Sequence, residues 1–145
     1  MTDFNGTLYI IKGLPGSGKN TLAEKLGLDP YICSADDYFM KDGVYQFDPS
    51  KLPQAHAECQ KNVQLCVDMR VDVAVCNTFT QRWEMEPYLS MDYDRLVVID
   101  LFDQGMTDAQ LAERNTHGVP VKSITAMRAR YEHNWKDGNP VLMWP

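Results

Sequence analysis

Residues 13 to 19 run Gly-Leu-Pro-Gly-Ser-Gly-Lys, and glycines spaced in this way ahead of a lysine suit one kind of chemistry. Glycines allow the backbone turns that aim several N–H groups at a single point, and an ammonium group placed after them neutralises the oxyanions gathered there. The Gly13-x4-Gly18-Lys19 spacing therefore predicts a cradle for the phosphates of ATP. Its binding residues would be Gly13, Pro15, Gly16, Ser17, Gly18, Lys19, Asn20 and Thr21, with Lys19 also serving any transfer of the terminal phosphate. In this Walker A spacing a Ser or Thr normally follows the lysine, and its hydroxyl ligates Mg²⁺. Here the position is Asn20. Its carboxamide oxygen is the expected metal ligand, and because that group is longer than a hydroxyl and differently shaped, altered or weakened Mg²⁺ binding is expected.

Such a loop works only between a buried strand and a helix, and the flanking sequence supplies both. Thr7 to Lys12 is a short β-prone apolar run after the turn pair Asn5-Gly6. Asn20 to Leu26 places Leu22, Ala23 and Leu26 at helical spacing, with Gly27 suited to the helix end. Further strands are expected at Tyr31–Ser34, Val71–Cys76 and Leu96–Ile99. Tyr45 to Phe47 alternates too briefly to be more than a loop or edge segment. Between them, Leu52, Ala55, Cys59, Val63, Cys66 and Met69 step by three or four along one helix face, led by Asp48 or Ser50 as a cap, with Pro53 tolerated in the first turn. Trp83–Leu89 forms a short helix. Thr107 and Gln110 have capping-box spacing for a helix through Arg114. A last helix is predicted from about Val121 to Trp135, with Ile124, Met127 and Tyr131 inward, before an apolar tail from Val141 to Pro145 that packs back on the body. Strands alternating with helices imply an α/β fold, a parallel sheet of about four to five strands covered on both faces. One domain over 1–145 is expected, with a helical lid at approximately 111–135.

Composition narrows the partners. A chain of 145 residues can bury roughly two thirds of its unfolded surface, enough for one independent core. No apolar run approaches a bilayer span, and Met1 to Thr7 lacks the basic cluster of a secretory signal, so no membrane partner and a cytoplasmic location are expected. The net charge of −6 argues against strong binding of duplex DNA, whose affinity is built from many phosphate contacts. Charge is uneven, however, with five Lys/Arg against three Asp/Glu from Leu111 onward, so a polyanion would meet the last quarter of the chain. Cys33, Cys59, Cys66 and Cys76 lack the close pairing that grips zinc and are expected to be free thiols.

Four segments in order resemble the polynucleotide-kinase-like P-loop kinases, a group that includes the phage 5′-hydroxyl polynucleotide kinase and small related AAA-type ATP-binding proteins. They are the loop at 13 to 19, Ser-Ala-Asp-Asp-Tyr-Phe at 34 to 39, Asn77-Thr78 with Trp83-Glu84-Met85 following, and Leu-Ala-Glu-Arg-Asn-x-His-Gly-Val at 111 to 119. The resemblance implies that Asp36 is the general base taking the proton from an acceptor hydroxyl, and that Arg114 is a lid arginine closing over the phosphates. With Asp36 and Asp37 on an extended segment, only one faces the site, and Asp37 is then a turn or capping residue. His117, beside Gly118, is expected to be a hinge neighbour; Arg128 and Arg130 are candidates for lid contacts or solvated helix charges. The chain departs from the family pattern at Cys76-Asn77, where relatives carry a carboxylate, and at Phe39, where they carry a basic residue. Asp100 imitates a Walker B aspartate, but in this topology that residue should end the third strand. The implied function is ATP-dependent phosphoryl transfer to a hydroxyl of a nucleic-acid end, a nucleotide or a small molecule. The alternative is a nucleotide-binding switch or interaction module with lost or weak transferase activity.

Overall fold

The computed structural model describes residues 6–133. In chain order its elements are β1 (Thr7–Gly13), α1 (Lys19–Lys25), β2 (Ile32–Cys33), β3 (Met40–Lys41), β4 (Val44–Tyr45), α2 (Leu52–Asp68), β5 (Val73–Asn77), α3 (Glu86–Leu89), β6 (Arg95–Phe102), α4 (Asp108–Arg114) and α5 (Val121–Arg130). Strands β2, β5, β1 and β6 form one parallel sheet in that spatial order. This is the parallel α/β layering expected, with β1 inside the sheet and its carboxyl end opening into the glycine loop.

Alternation along the strands sorts the core onto two faces. Leu8 and Ile10 of β1, Val73 and Val75 of β5 and Val98 of β6 pack with Ala55, Cys59, Val63, Cys66 and Val67 of α2. Their neighbours Ile11, Ala74, Cys76, Ile99 and Leu101 pack on the opposite face with Ala23 of α1 and Leu28. Each such aliphatic side chain contributes about 1.5–3 kcal/mol on full burial, and all five residues of β5 are buried. This is why the sheet, rather than either helix layer, fixes the loop that leaves β1. A third cluster of Leu14, Leu111, Ile124 and Tyr131 joins the glycine loop to α4 and α5.

The expected elements are present, with five differences, the first being that the helix expected over Trp83–Leu89 is split into a 3-10 turn over Arg82–Glu84 and the short α3. Tyr45 belongs to a small antiparallel hairpin, β3 with β4, closed by Asp42 and Gly43 at φ 52° and 79°. Leu52 and Met69 stand exposed at the two ends of the α2 stripe, outside the cluster that buries its middle. Asp48 caps a 3-10 turn over Pro49–Lys51 that leads into α2, not the α-helix itself. The last helix ends at Arg130 because Tyr131 turns extended, at φ −67° and ψ 125°, and the amide of Glu132 donates to the Thr80 carbonyl at 2.7 Å. The predicted helix therefore fails over 131–133, while its last residues to Trp135 and the tail from Val141 to Pro145 lie outside the described residues. The capping box of Thr107 and Gln110 forms as its spacing predicts, and Cys59, Cys66 and Cys76 are buried free thiols while Cys33 is half-buried. Among the described residues no helix is long and apolar enough to cross a membrane.

Candidate active site

The glycine loop is held from both sides. Leu14 donates to the carbonyl of Phe102 at 2.9 Å, and Ser17 to that of Leu14 at 3.0 Å, which ties the turn to β6 and to itself. Gly16 and Gly18 adopt φ 84° and 96°, where a side chain is strained. At Gly16 space forbids a side chain as well, since a Cβ there would lie 2.3 Å from the Leu111 carbonyl oxygen of α4. The amides of Gly16, Gly18, Lys19 and Asn20 find no backbone partner among the described residues, and unpaired donors grouped in this way fit an anion.

Lys19 folds back over this loop, its Nζ donating to the carbonyls of Gly13 at 2.9 Å and Leu14 at 3.2 Å. Burial lowers its pKa to about 8, opposed by the negative charge of Asp36. Arg114, at the end of α4, donates from Nε to the Gly16 carbonyl at 3.1 Å and stays exposed. A cation from the end of α4 thus already rests on the loop. Asn20 and Thr21 are exposed at the start of α1. A metal bound with the triphosphate would find the Asn20 carboxamide available, its side chain having no hydrogen-bond partner among the described residues. Among those residues no cluster of three or more His, Cys, Asp or Glu could hold a metal by itself. A magnesium ion carried in with a triphosphate would rely mainly on phosphate oxygens and water, the usual manner for that ion.

Asp36 stands in a 3-10 turn over Ala35–Phe39, not on the extended segment expected from sequence. The turn forms because Ser34 and Asp37 make a capping box: the Ser34 amide donates to Asp37 Oδ2 at 3.1 Å, and the Ser34 hydroxyl accepts from the Asp36 amide at 3.2 Å. Asp37 is thereby committed to the cap while Asp36 points elsewhere. Its Oδ1 accepts from the Tyr45 hydroxyl at 3.1 Å, and its Oδ2 lies 3.2 Å from Nδ1 of His117. The rings of Tyr45 and His117 stack, 4.2 Å between centroids and 20° between planes. Neither residue stands out as a partner of Asp36 in the sequence, where no spacing links positions 36, 45 and 117.

The end of β5 explains the departure at Cys76-Asn77. Asn77 Oδ1 accepts from the Ala35 amide at 2.9 Å and from the Ser34 hydroxyl at 3.5 Å, while its Nδ2 donates to the Cys59 sulfur at 3.7 Å. The buried carboxamide thus pins the Asp36 turn to the sheet through its oxygen, and its NH2 also reaches Cys59 of α2, a bond that a carboxylate, lacking the donor, does not make. Cys76 points to the other face, its thiol 3.8 Å from the Lys19 carbonyl oxygen, and burial pushes its pKa up to about 12, so it remains a neutral thiol. Asp100 is used elsewhere: its Oδ1 accepts from the Tyr131 hydroxyl at 2.6 Å and the Phe102 amide at 3.0 Å, and its Oδ2 lies 3.7 Å from the buried Lys12 ammonium. Arg128 bridges Asp103 at 2.6 Å and Asp108 at 2.7 Å, joining the end of β6 to α4 and α5. Arg130 donates to the Thr80 hydroxyl at 3.3 Å.

A family profile described as AAA domain matches residues 8–133, which span every element above. The chain belongs to this AAA domain family. Among curated relatives, human (Homo sapiens) NEDD4-binding protein 2 is 37% identical over 134 residues, covering 86% of this chain and 8% of that protein. The chain thus spans about one twelfth of that relative's length. Among solved structures, a sugar kinase from Janibacter sp. HTCC2649 has a TM-score of 0.67 at 17% identity, covering 95% of this chain and 84% of that one. A gluconokinase from Sinorhizobium meliloti 1021 has a TM-score of 0.59 at 18% identity, covering 97% and 83%. A chain of the Pnkp1/Rnl/Hen1 RNA repair complex has a TM-score of 0.67 at 18% identity, covering 90% and 45%. These likenesses carry the fold of this AAA domain chain, the P-loop kinase-like arrangement.

Proposed function

We propose that this chain transfers the terminal phosphate of ATP to a hydroxyl acceptor, as a P-loop kinase. One observation carries the proposal: Lys19 and Arg114 both rest on the phosphate loop, at the carbonyls of Gly13 and Gly16, while His117, three residues beyond Arg114, meets Asp36 at 3.2 Å. In this arrangement the loop amides and Lys19 hold the β and γ phosphates. Asp36 takes the proton of the acceptor hydroxyl as its oxygen bonds to the γ phosphorus, the bond from that phosphorus to the β–γ bridging oxygen breaks, and ADP leaves. Arg114 neutralises charge on the transferring group. Most of the acceleration in such a site comes from positioning and charge stabilisation. Magnesium, held beside Asn20 by the triphosphate, would supply further neutralisation of the phosphate oxygens.

The acceptor we favour is the 5′-hydroxyl of a polynucleotide end, on the strength of the motif order around Asp36 and Arg114. The sugar kinase and gluconokinase likenesses make small polyols the competing class. The test is transfer of label from γ-labelled ATP, with Mg²⁺, to 5′-hydroxyl oligonucleotides, nucleosides, mononucleotides and sugars including gluconate. Transfer to one class that disappears in both Lys19→Ala and Asp36→Asn is expected. ATP binding without transfer to any of them would favour instead a nucleotide-dependent interaction module. That second reading has its own support in Asn20 and the neutral thiol of Cys76, which stand where hydroxyl and carboxylate groups would order a metal.

A further inference from the structure

His117 lies on the loop between α4 and α5, three residues beyond Arg114, and it reaches across to the turn that carries Asp36. Three contacts meet there. Tyr45 donates to one oxygen of the Asp36 carboxylate at 3.1 Å. His117 presents Nδ1 to the other oxygen at 3.2 Å. The two rings then stack on each other at 4.2 Å. The carboxylate is half-exposed while the His117 side chain is only 28% exposed, so the ring is the better packed member of the pair and the carboxylate is the one that is held.

The histidine is itself oriented. Asn115, following α4, accepts from the amides of His117 at 2.6 Å and Val119 at 3.4 Å through its Oδ1, which folds the loop into a tight turn and points the imidazole back toward β4. On the other side Tyr45 packs against Phe39, the buried end of the Asp36 turn, and lies nearly parallel to Phe47. The Tyr45 hydroxyl is kept protonated, its pKa raised first by burial and then by the Asp36 charge, and so it remains a donor. Donors from two different elements, a hairpin strand and a lid loop, thus converge on one carboxylate.

We propose that His117 is a positioning residue for Asp36, donating from Nδ1 to Oδ2 and stacking on Tyr45, so that the carboxylate is aligned only when the lid loop is down. The proposal rests on the general-base assignment made above. A carboxylate oxygen accepts more than one hydrogen bond, so both contacts leave lone pairs for the acceptor hydroxyl while they remove the carboxylate's freedom to rotate. Arg114 and His117 leave the same short segment for the phosphate loop and the acceptor side respectively. Closure of one segment therefore readies both halves of the site together.

The first test needs no acceptor. In the full chain labelled with ¹⁵N-histidine, the ring of His117, assigned by loss of its signals in His117→Gln, is expected to carry a proton on Nδ1 and to shift on Asp36→Ala. A ring without a proton on Nδ1, or signals indifferent to Asp36→Ala, overturns the proposal. The second test divides the two contacts. His117→Phe keeps a ring against Tyr45 and loses the donor, and is expected to lower kcat about tenfold to a hundredfold with the KM for ATP unchanged. His117→Gln keeps an N–H donor and is expected to recover most of that loss. Loss in His117→Gln with His117→Phe near wild type would mean that the ring merely packs the loop, equal losses in both would mean that a donor there does not suffice to align Asp36, and no loss in either would mean that Asp36 is aligned without it; each overturns the proposal. Asp36→Asn run alongside separates the two claims. Full activity there defeats the general-base assignment and this inference with it, whereas an inactive Asp36→Asn beside a fully active His117→Phe overturns the inference alone.

Discussion

The proposed phosphate side of the site and its proposed acceptor side are built by opposite means. Residues 13 to 20 are contiguous, and their chemistry lies in the backbone: positive φ at two glycines, amides without partners, and one lysine folded over the turn. The acceptor side brings Asp36, Tyr45, Asn77 and His117 together from four separate stretches of chain, and its chemistry lies in side chains. A contiguous loop needs only a strand before it and a helix after it. An assembled cluster needs the whole fold, and it is correspondingly easier to disturb from a distance.

Removing Arg114 would do most to break that contrast, because its bond to the Gly16 carbonyl makes the loop depend on a residue far away in sequence. Arg114→Ala is expected to lower kcat roughly a thousandfold, as loss of a charge-stabilising arginine does in related chemistry, while ATP affinity measured by calorimetry falls much less. A kcat close to wild type would mean that the loop acts alone. Gly16→Ala comes next. At φ 84°, and with 2.3 Å to the Leu111 carbonyl oxygen, an added methyl must push α4 away from the loop. A loss of about 1–3 kcal/mol from backbone strain alone is expected in chemical unfolding, together with weakened ATP binding. An unchanged denaturation midpoint would show that the loop and α4 are not in the contact described.

Asn77→Ala sharpens the comparison from the acceptor side. It leaves the Ala35 amide without its buried acceptor, which destabilises by about 1–3 kcal/mol, and it should lower transfer while leaving ATP binding intact. Equal damage to both would mean that the two sides are not separable. The smallest effect is in pH dependence. Lys19 has a folded pKa of about 8, below its ordinary 10.5, so between those values the unfolded chain binds more protons than the folded one. Stability of the ligand-free protein should therefore gain from this residue as pH rises through that window, and below it the buried charge opposes folding. Triphosphate binding favours the ammonium and should draw a proton in at pH 8. Calorimetry in two buffers of different ionisation enthalpy reads that uptake as a difference in apparent enthalpy, absent in Lys19→Met.

Much of this protein is legible along the chain because its causes are local. The glycine loop, the alternating strands, the capping box of Thr107 with Gln110 and the helix end at Gly27 depend on residues within a few positions of one another, and the structure has them where spacing predicts. Asp37 does cap, as expected, but the reason differs: the Ser34–Asp37 exchange of hydrogen bonds closes a 3-10 turn, whereas the expectation rested on the alternation of an extended segment that is not there.

What sequence spacing does not carry is the meeting of distant side chains. Asp100 looks like a metal-ordering aspartate in linear form, yet the turn at Tyr131 delivers a hydroxyl and β1 a lysine that occupy its carboxylate. Asn77 looks like a defect until the Ala35 amide arrives above it. His117 looks like a hinge neighbour until the lid lies across the hairpin. By itself, then, the sequence determined the phosphate loop and the α/β layering, because backbone geometry and strand alternation answer to near neighbours. Only the tertiary structure decided which groups surround Asp36, because a hydrogen bond between residues 81 positions apart depends on how the sheet stacks its loops and not on any local preference of the chain.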